Sequence, residues 1–362
     1  MIKADTKKIC IVVSSLGVGG AERSSAILSE ILFDLNFDVH IVSVQDKVDY
    51  PYKGKLFNLG ELKTEHNSKI SRLKRLKIFK RYLKAQNFDY VIDNRTRIGL
   101  LKELIISKWV YKPNKTIYCV RSYYTDNYIN PNRFLSRLLY NSAYKIVSVS
   151  HAISKKLRHN FKFKNLEVIH NPVAIDNKES KIENSSHDHY ILFFGRLNDE
   201  IKNISLLLEA YSKSKLPKCA IKLKILGSGD DKQLLKDKSK TLGVENEVEF
   251  LDFKANPYTY VEAAFFTVLT SRYEGFPRAI VESLALGVPV VSVDCKSGPN
   301  EIIINEQNGL LVENHNVDTL SIAMNRMLED EDLYLHCKSN AKDSIAKFSK
   351  TTIGLQWKAI LK

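Results

Sequence analysis

Only five cysteines stand in this chain of 362 residues (Cys10, Cys119, Cys219, Cys295 and Cys337), and no two of them form a C-x-x-C pair. So odd and scattered a set excludes a disulfide framework or a zinc knuckle, and reduced, buried thiols are expected. The nine histidines contain no H-E-x-x-H, and His187 and His189 have no further ligand types beside them, so no metal site is expected. Glycine (15) and proline (9) are too scarce for a collagen or a low-complexity tract. No apolar run reaches the roughly 18–20 residues that span a bilayer. The first apolar run, Ile9–Val13, is too short for a signal-peptide core and leads into Ser-Ser-Leu-Gly-Val-Gly-Gly without a cleavage site. A cytoplasmic location is therefore expected. What remains is ordinary globular composition, at a length that suits two domains with a core each.

Positive charge is abundant and unevenly placed. Residues 1–172 hold 31 lysines and arginines against 14 acids, whereas 173–362 hold 24 against 27, so the net +14 belongs to the first half. Such asymmetry suggests an anionic partner, nucleic acid or membrane. The densest stretch, Lys69–Lys84, carries eight cations in sixteen residues, with Ile70, Leu73, Leu76, Phe79 and Leu83 at helical spacing. Two readings stand: an ordinary surface helix with solvated lysines, or a helix touching anionic lipid headgroups at about 1 kcal/mol per cation. No recognition helix, RNP-type motif or zinc finger points to nucleic acid, which is not expected as a partner.

Along the chain, strand-like and helix-like segments alternate. Lys8–Ser14, Val39–Val44, Tyr90–Asp93, Thr116–Val120, Lys145–Val149 and Glu167–Ile169 read as strands of the first half. A polar stretch, Asp176–Asp188, reads as a linker or long loop. Tyr190–Phe194, Ile221–Leu226, Val248–Leu251, Phe265–Leu269 and Val288–Val293 then repeat the pattern, with helices over Ile204–Ser212 and Lys232–Leu242. Such alternation predicts an α/β protein of two doubly wound, Rossmann-like domains, with ligands outside the carboxyl ends of the strands.

Three segments carry candidate chemistry. Gly17-Val-Gly-Gly-Ala-Glu22 joins the first strand to a helix, so Gly19 and Gly20 allow close backbone approach to an anion at the helix start. It lacks both the third glycine of a dinucleotide fingerprint and the Lys of a P-loop. Arg196, after Phe193-Phe-Gly, and Lys202, before the next helix, place two cations where a diphosphate would fit. The third is Tyr273-Glu-Gly-Phe-Pro-Arg-Ala-Ile-Val-Glu282, in which Pro277 suits the first position of a helix. Glu274 then precedes that helix and Glu282 lies within it. The N–H groups near Arg278 and Ala279 face an anion, and either carboxylate can accept from a sugar diol.

The E-G-F-P-x-x-x-x-E pattern resembles the motif of retaining glycosyltransferases of family 4, of the group 1, bacterial surface-polysaccharide type. The resemblance extends over nearly the whole chain: Gly19-Gly-Ala-Glu-Arg23, Val147-Ser-Val-Ser-His151, Val168-Ile-His-Asn-Pro-Val173, Phe194-Gly-Arg-Leu197, Ile225-Leu-Gly-Ser-Gly229, Ser297-Gly-Pro-Asn-Glu301 and Phe348-Ser-Lys…Trp357. It implies the GT-B architecture. An acceptor-binding domain would span 1–172 and a nucleotide-sugar-binding domain 173–345, with 346–362 a helix crossing back to the first. Glu282 would hold the ribose diol, and Glu274 the transferred sugar with Gly275, Phe276 and Pro277 beside it. Arg196 and Lys202 would neutralise the diphosphate, hence no metal. Gly19 and Gly20 would approach from the first domain, while Asp252 and Phe253 would lie near the base.

Three positions depart from the pattern. Arg196 and Lys202 are six apart rather than five, Arg121-Ser122 stands where many relatives have His-Asp, and Asp252 replaces a glycine. Arg121, with His151, is accordingly expected to meet an anionic acceptor. The implied reaction is transfer, with retention, of a hexose or N-acetylhexosamine from a nucleoside diphosphate sugar, UDP before GDP. The implied acceptor is a lipid-linked, lipopolysaccharide or capsule glycan at the cytoplasmic membrane face, with Lys69–Lys84 on the anionic surface. A nucleotide-sugar epimerase of similar fold and a non-catalytic sugar-nucleotide-binding partner are the alternatives.

Overall fold

The computed structural model describes residues 6–17, 19–63, 68–173 and 189–362. The stretch 176–188, read above as a linker, lies outside the described residues. The chain divides into two compact units, one of residues 1–172 with 348–362, the other of 173–347.

The first unit is built on seven parallel strands: β1 (Lys8–Val13), β2 (Asp38–Ser43), β3 (Lys55–Asn58), β4 (Tyr90–Asp93), β5 (Thr116–Val120), β6 (Lys145–Ser148) and β7 (Leu166–Val168). Their order across the sheet is β3-β2-β1-β4-β5-β6-β7. Burial on both faces explains why β1 reads as a continuous apolar run, with Ile9 through Val12 inaccessible to solvent. The last helix, Lys350–Ile360, belongs to this unit: Ile353, Trp357 and Leu361 share a core with Ile9, Leu28 and Leu32. Lys350 also donates to Glu30 at 2.9 Å.

The second unit holds six parallel strands: β8 (Tyr190–Phe194), β9 (Lys222–Leu226), β10 (Val248–Leu251), β11 (Thr267–Leu269), β12 (Val290–Val293) and β13 (Gly309–Val312). Their order is β10-β9-β8-β11-β12-β13. Its core joins Ile191, Phe193 and Leu197 to Leu207, Tyr211, Ile225, Val291 and Met324. Each sheet is doubly wound, and winding reverses between β1 and β4 in one and between β8 and β11 in the other. Ligands of such sheets bind beyond the carboxyl ends of the strands at that reversal.

The structure adds β3 and β13, edge strands of four residues each that the alternation did not announce. It also corrects three expectations. The basic helix runs Lys69–Gln86, capped by Ser68, but its apolar stripe is not uniformly covered: Phe79 is buried, while Ile70 and Leu73 are 81% and 45% exposed. Pro277 is the residue before its helix rather than the first within it, because Arg278 opens the helical backbone. Cys219 is exposed, whereas the other four thiols are buried as expected. Among the described residues no helix is long and apolar enough to cross a membrane.

Candidate active site

In the second unit, Arg196 and Lys202 follow β8 while Glu274 follows β11, and the reversal of winding brings Lys202 to Glu274. Gly195 leads out of β8, and the loop behind it leaves no room for side chains. A Cβ on Gly227 would sit 1.9 Å from the Gly195 carbonyl oxygen, and one on Gly229 2.0 Å from that of Leu197. The loops are also bonded directly, Leu197 N–H to the Ser228 carbonyl at 2.9 Å and Gly195 N–H to that of Leu226 at 3.0 Å. Gly227→Ala should therefore cost about 1–3 kcal/mol as the backbones are forced apart. Urea denaturation should show it, and a change within error would mean that the loop yields freely.

The six-residue spacing of the two cations is absorbed by a single helical turn, Asp199–Lys202. Asn198 caps it at Ile201 N–H (2.9 Å), and Asn203 closes it in the left-handed region at φ 50°. Asp199 then accepts from the Ser205 N–H and hydroxyl, both at 2.7 Å, which starts the next helix. This geometry delivers Lys202 Nζ to Glu274 Oε1 at 2.5 Å, and Ser271 Oγ donates to the same oxygen at 2.7 Å. The side chains of Lys202 and Glu274 are 23% and 13% accessible, so the pair is little screened. Among the described residues, Glu274 Oε2 has no partner and remains an open acceptor. Backbone bonds from Glu274 N–H to Lys296 and from Arg272 N–H to Ile201 fix the loop between them. Arg196 is exposed.

Beyond Glu274 the chain turns through Gly275, Phe276 and Pro277, all buried, with Ser297 Oγ donating to the Gly275 carbonyl at 2.7 Å. The helix Arg278–Ala285 begins there without a side-chain cap, so its first N–H groups, at Arg278 and Ala279, have no intrahelical acceptor. Glu282 is buried, and its Oε1 accepts from Arg278 Nη2 at 2.5 Å. The Arg278 side chain thus lies along the helix, toward Glu282. Cys295 is packed close by, and burial, with the Glu274 charge second, pushes its thiol far above the ordinary range. Asp252 and Phe253 follow β10, at the sheet edge. Asp252 is exposed and paired with Lys232 at 2.6 Å, which with the charge of that lysine lowers its pKa. Phe253 is 46% exposed.

In the first unit, the loop after β1 places Gly19 before the helix Gly20–Asp34, with Glu22 folded back over it and the Tyr50 hydroxyl 3.4 Å from its N–H. Arg121 follows β5. Its guanidinium is held by two amides, Nη1 on Asn171 Oδ1 at 2.7 Å and Nη2 on Asn94 Oδ1 at 3.2 Å, and among the described residues no carboxylate is hydrogen-bonded to it. A small pocket at this point is lined by Ser24, Cys119, Arg121, His170, Asn171 and Trp357. His151 opens the helix His151–Phe161, edge-on to His170 with centroids 5.5 Å apart.

One buried group escaped the sequence reading. Asp93, Arg95, Arg97 and Glu103, each at most 3% exposed, form a charged cluster at the end of β4. Arg95 is bidentate on Asp93 (3.0 and 2.6 Å). Arg97 donates to the carbonyls of Asp93, Arg95, Cys119 and Tyr128. The string Asp93-Asn-Arg-Thr-Arg97 reads as a polar loop, and only the placing of an acid two residues before the first of two arginines pointed to an internal ion pair.

The glycosyl transferases group 1 family matches residues 175–344, and glycosyltransferase family 4 matches 18–177. The N-acetylgalactosamine-N,N'-diacetylbacillosaminyl-diphospho-undecaprenol 4-alpha-N-acetylgalactosaminyltransferase of Campylobacter jejuni is 33% identical over 96% of this chain and 97% of its own. The amylovoran biosynthesis glycosyltransferase AmsD of Erwinia amylovora is 26% identical over 98% and 99%. A mutant of S. aureus TarM, crystallised with Fondaparinux, alpha-GlcNAc-glycerol and UDP, matches in fold with a TM-score of 0.80 over 99% and 100% of the two chains, at 17% identity. The protein is thus a member of the group 1, family 4 glycosyltransferases and has their GT-B fold.

Proposed function

We propose that this glycosyltransferase moves a hexose or N-acetylhexosamine, with retention, from a nucleoside diphosphate sugar to a hydroxyl of a lipid-linked or lipopolysaccharide-type glycan. The observation that carries the reading is the Lys202–Glu274–Ser271 constellation at the β8/β11 reversal, beside an uncapped helix start. Glu274 Oε2 accepts from a hydroxyl of the transferred sugar. Lys202, Arg196 and the backbone N–H groups of Arg278 and Ala279 receive the charge that develops on the departing diphosphate. The bond from the anomeric carbon to the diphosphate oxygen breaks as the acceptor oxygen bonds on the same face. The acceptor's proton passes to the leaving phosphate. Because these cations do the work of a metal, chelation should leave turnover unchanged. Glu282 serves the ribose diol, with Asp252 and Phe253 toward the base, uracil before guanine. Gly19, Gly20, Arg121 and His151 serve donor and acceptor from the first unit.

Two relatives support the acceptor class: the C. jejuni enzyme above is named for a diphospho-undecaprenol substrate, and a Salmonella typhimurium relative for lipopolysaccharide. The basic helix Lys69–Gln86 suits the anionic cytoplasmic membrane face at which such acceptors sit. The test is nucleoside diphosphate release that requires acceptor, with the anomeric configuration of the product read by NMR. An inverted product would end the retaining reading, and release independent of acceptor would end the transferase one. Arg196→Ala should lower turnover about tenfold to a hundredfold, since a cation at the rim of the site stabilises less than an enclosed one. Unimpaired turnover would remove Arg196 from the mechanism.

A further inference from the structure

We propose that Ile98, Leu101, Phe134 and Leu138, with the cations around them, form a surface that inserts into the headgroup–acyl boundary of an anionic bilayer. The proposal rests on the membrane-bound acceptor above, but assigns insertion to a face of the first unit other than the basic helix. These four side chains are 65%, 73%, 76% and 49% exposed, on two segments that both pack against the turn Ile106–Val110.

The helix Arg133–Tyr140 explains how this arises. Ser136, Leu139 and Tyr140 are buried on its inner side, yet Phe134 and Leu138, four residues apart and so on one face, are exposed. Arg133 and Arg137 stand beside them at the same spacing and are exposed too. An ordinary surface helix is apolar only toward its core, whereas this one has apolar groups outward and cations alongside. Ile98 and Leu101 flank the start of the helix Leu100–Ile105, with exposed Lys102 between them and the next turn.

Both segments are anchored on Arg97, whose guanidinium lies 5.6 Å from the Tyr140 ring. The turn Ile106–Val110 packs against the helix Arg133–Tyr140 on one side and Lys69–Gln86 on the other. It carries exposed Lys108 and Trp109, with Lys80 Nζ 4.0 Å from the indole centroid. The turn that links these segments to the basic helix thus presents an aromatic residue of the type that favours the membrane interface.

Charge selects the occupant. Across residues 94–112 and 130–145 the only acid is Glu103, which is buried; exposed Asp126 lies on the intervening turn. A second copy docking by the same face would oppose cation to cation. An anionic bilayer satisfies both parts, acyl chains around the apolar groups and headgroups around Lys102, Lys108, Arg133 and Arg137.

The experiment is sedimentation of the full chain with vesicles of phosphatidylcholine, with and without phosphatidylglycerol. Phe134→Ser/Leu138→Ser and Ile98→Ser/Leu101→Ser are compared with Lys74→Glu/Lys77→Glu on the basic helix, and tryptophan fluorescence with UDP-induced thermal shift establishes that each variant is folded. The wild type should bind the anionic vesicles, and each apolar double variant should bind roughly tenfold less or weaker still. Loss in the lysine variant alone would overturn the proposal while leaving the membrane reading in place. No binding by the wild type would overturn both. A dimer that either apolar variant dissolves would identify the patch as a contact between copies, and would equally overturn it.

Discussion

Lys202→Met should lower turnover about 10²- to 10³-fold, corresponding to roughly 2.7–4 kcal/mol of transition-state stabilisation, while nucleotide affinity changes far less. The reason is the placement of the charge. Lys202 reaches Glu274 from the end of a one-turn helix closed by a left-handed asparagine, with its side chain only 23% accessible. An ammonium held that firmly needs no reorganisation when charge appears on the leaving diphosphate. Lys202→Arg should restore only part of the rate, because a planar fork does not replace a point charge at 2.5 Å.

A bland role would also slow the enzyme, because removing Lys202 leaves the Glu274 carboxylate with Ser271 alone. Combining Lys202→Met with Glu274→Gln separates the two. If the lysine serves only to neutralise Glu274, the double variant should turn over no more slowly than Glu274→Gln. If it also stabilises the diphosphate, the double variant should be slower by a further factor of about ten or more. Acceptor-dependent nucleotide release under saturating donor measures both, and the first outcome would end the electrostatic role.

How much of this was legible beforehand depended on whether the signal was local. The β-branched and apolar runs at Lys8–Val13 and Tyr190–Phe194 are buried on both faces and announce themselves as central parallel strands. At the sheet edges, Lys55–Asn58 and Gly309–Val312 are only partly covered and hold at most one β-branched residue each, so neither carries the run that marks the inner strands. The Glu274 and Glu282 carboxylates stand out because the helix between them sets their spacing. The partnership of Lys202 with Glu274 spans 72 residues and comes only from the reversal of winding between β8 and β11. Likewise, the sequence marks Arg121 as a cation after a strand. Its restraint by Asn94 and Asn171 depends on three separate strand ends meeting.

The buried cluster after β4 gives the largest expected effect on stability. Arg97→Ala should destabilise the first unit by about 3–5 kcal/mol, the cost of leaving buried charges uncompensated. Truncation strips four carbonyl oxygens of their donor and removes a guanidinium that lies 5.1–5.6 Å from the rings of Tyr118, Tyr128 and Tyr140. It also leaves Asp93 with Arg95 and the Tyr111 hydroxyl, and Glu103 with Arg95 and the outlying Lys102. Burial by itself would raise the Asp93 pKa, but Arg95 first and Arg97 second hold it below the ordinary carboxylate value. A carboxylate depressed in the folded state contributes its stability above the unfolded pKa of about 3.9, and that contribution is lost as pH falls through the folded value. Removing Arg97 should therefore move the acid limb of the stability profile to higher pH. Trp109 and Trp357 are the only tryptophans, and both belong to this unit, so their fluorescence in urea reports its unfolding without interference from the other. A loss below about 1 kcal/mol, or an unmoved acid limb, would mean that water reaches the cluster and screens it. The cost of the single change is not the net worth of the cluster, because an apolar set of equal volume can be as stable. What the charges provide instead is a set of directed bonds that joins the ends of β4 and β5 to the 125–129 turn, and so fixes the strand ends from which Asn94 and Arg121 project.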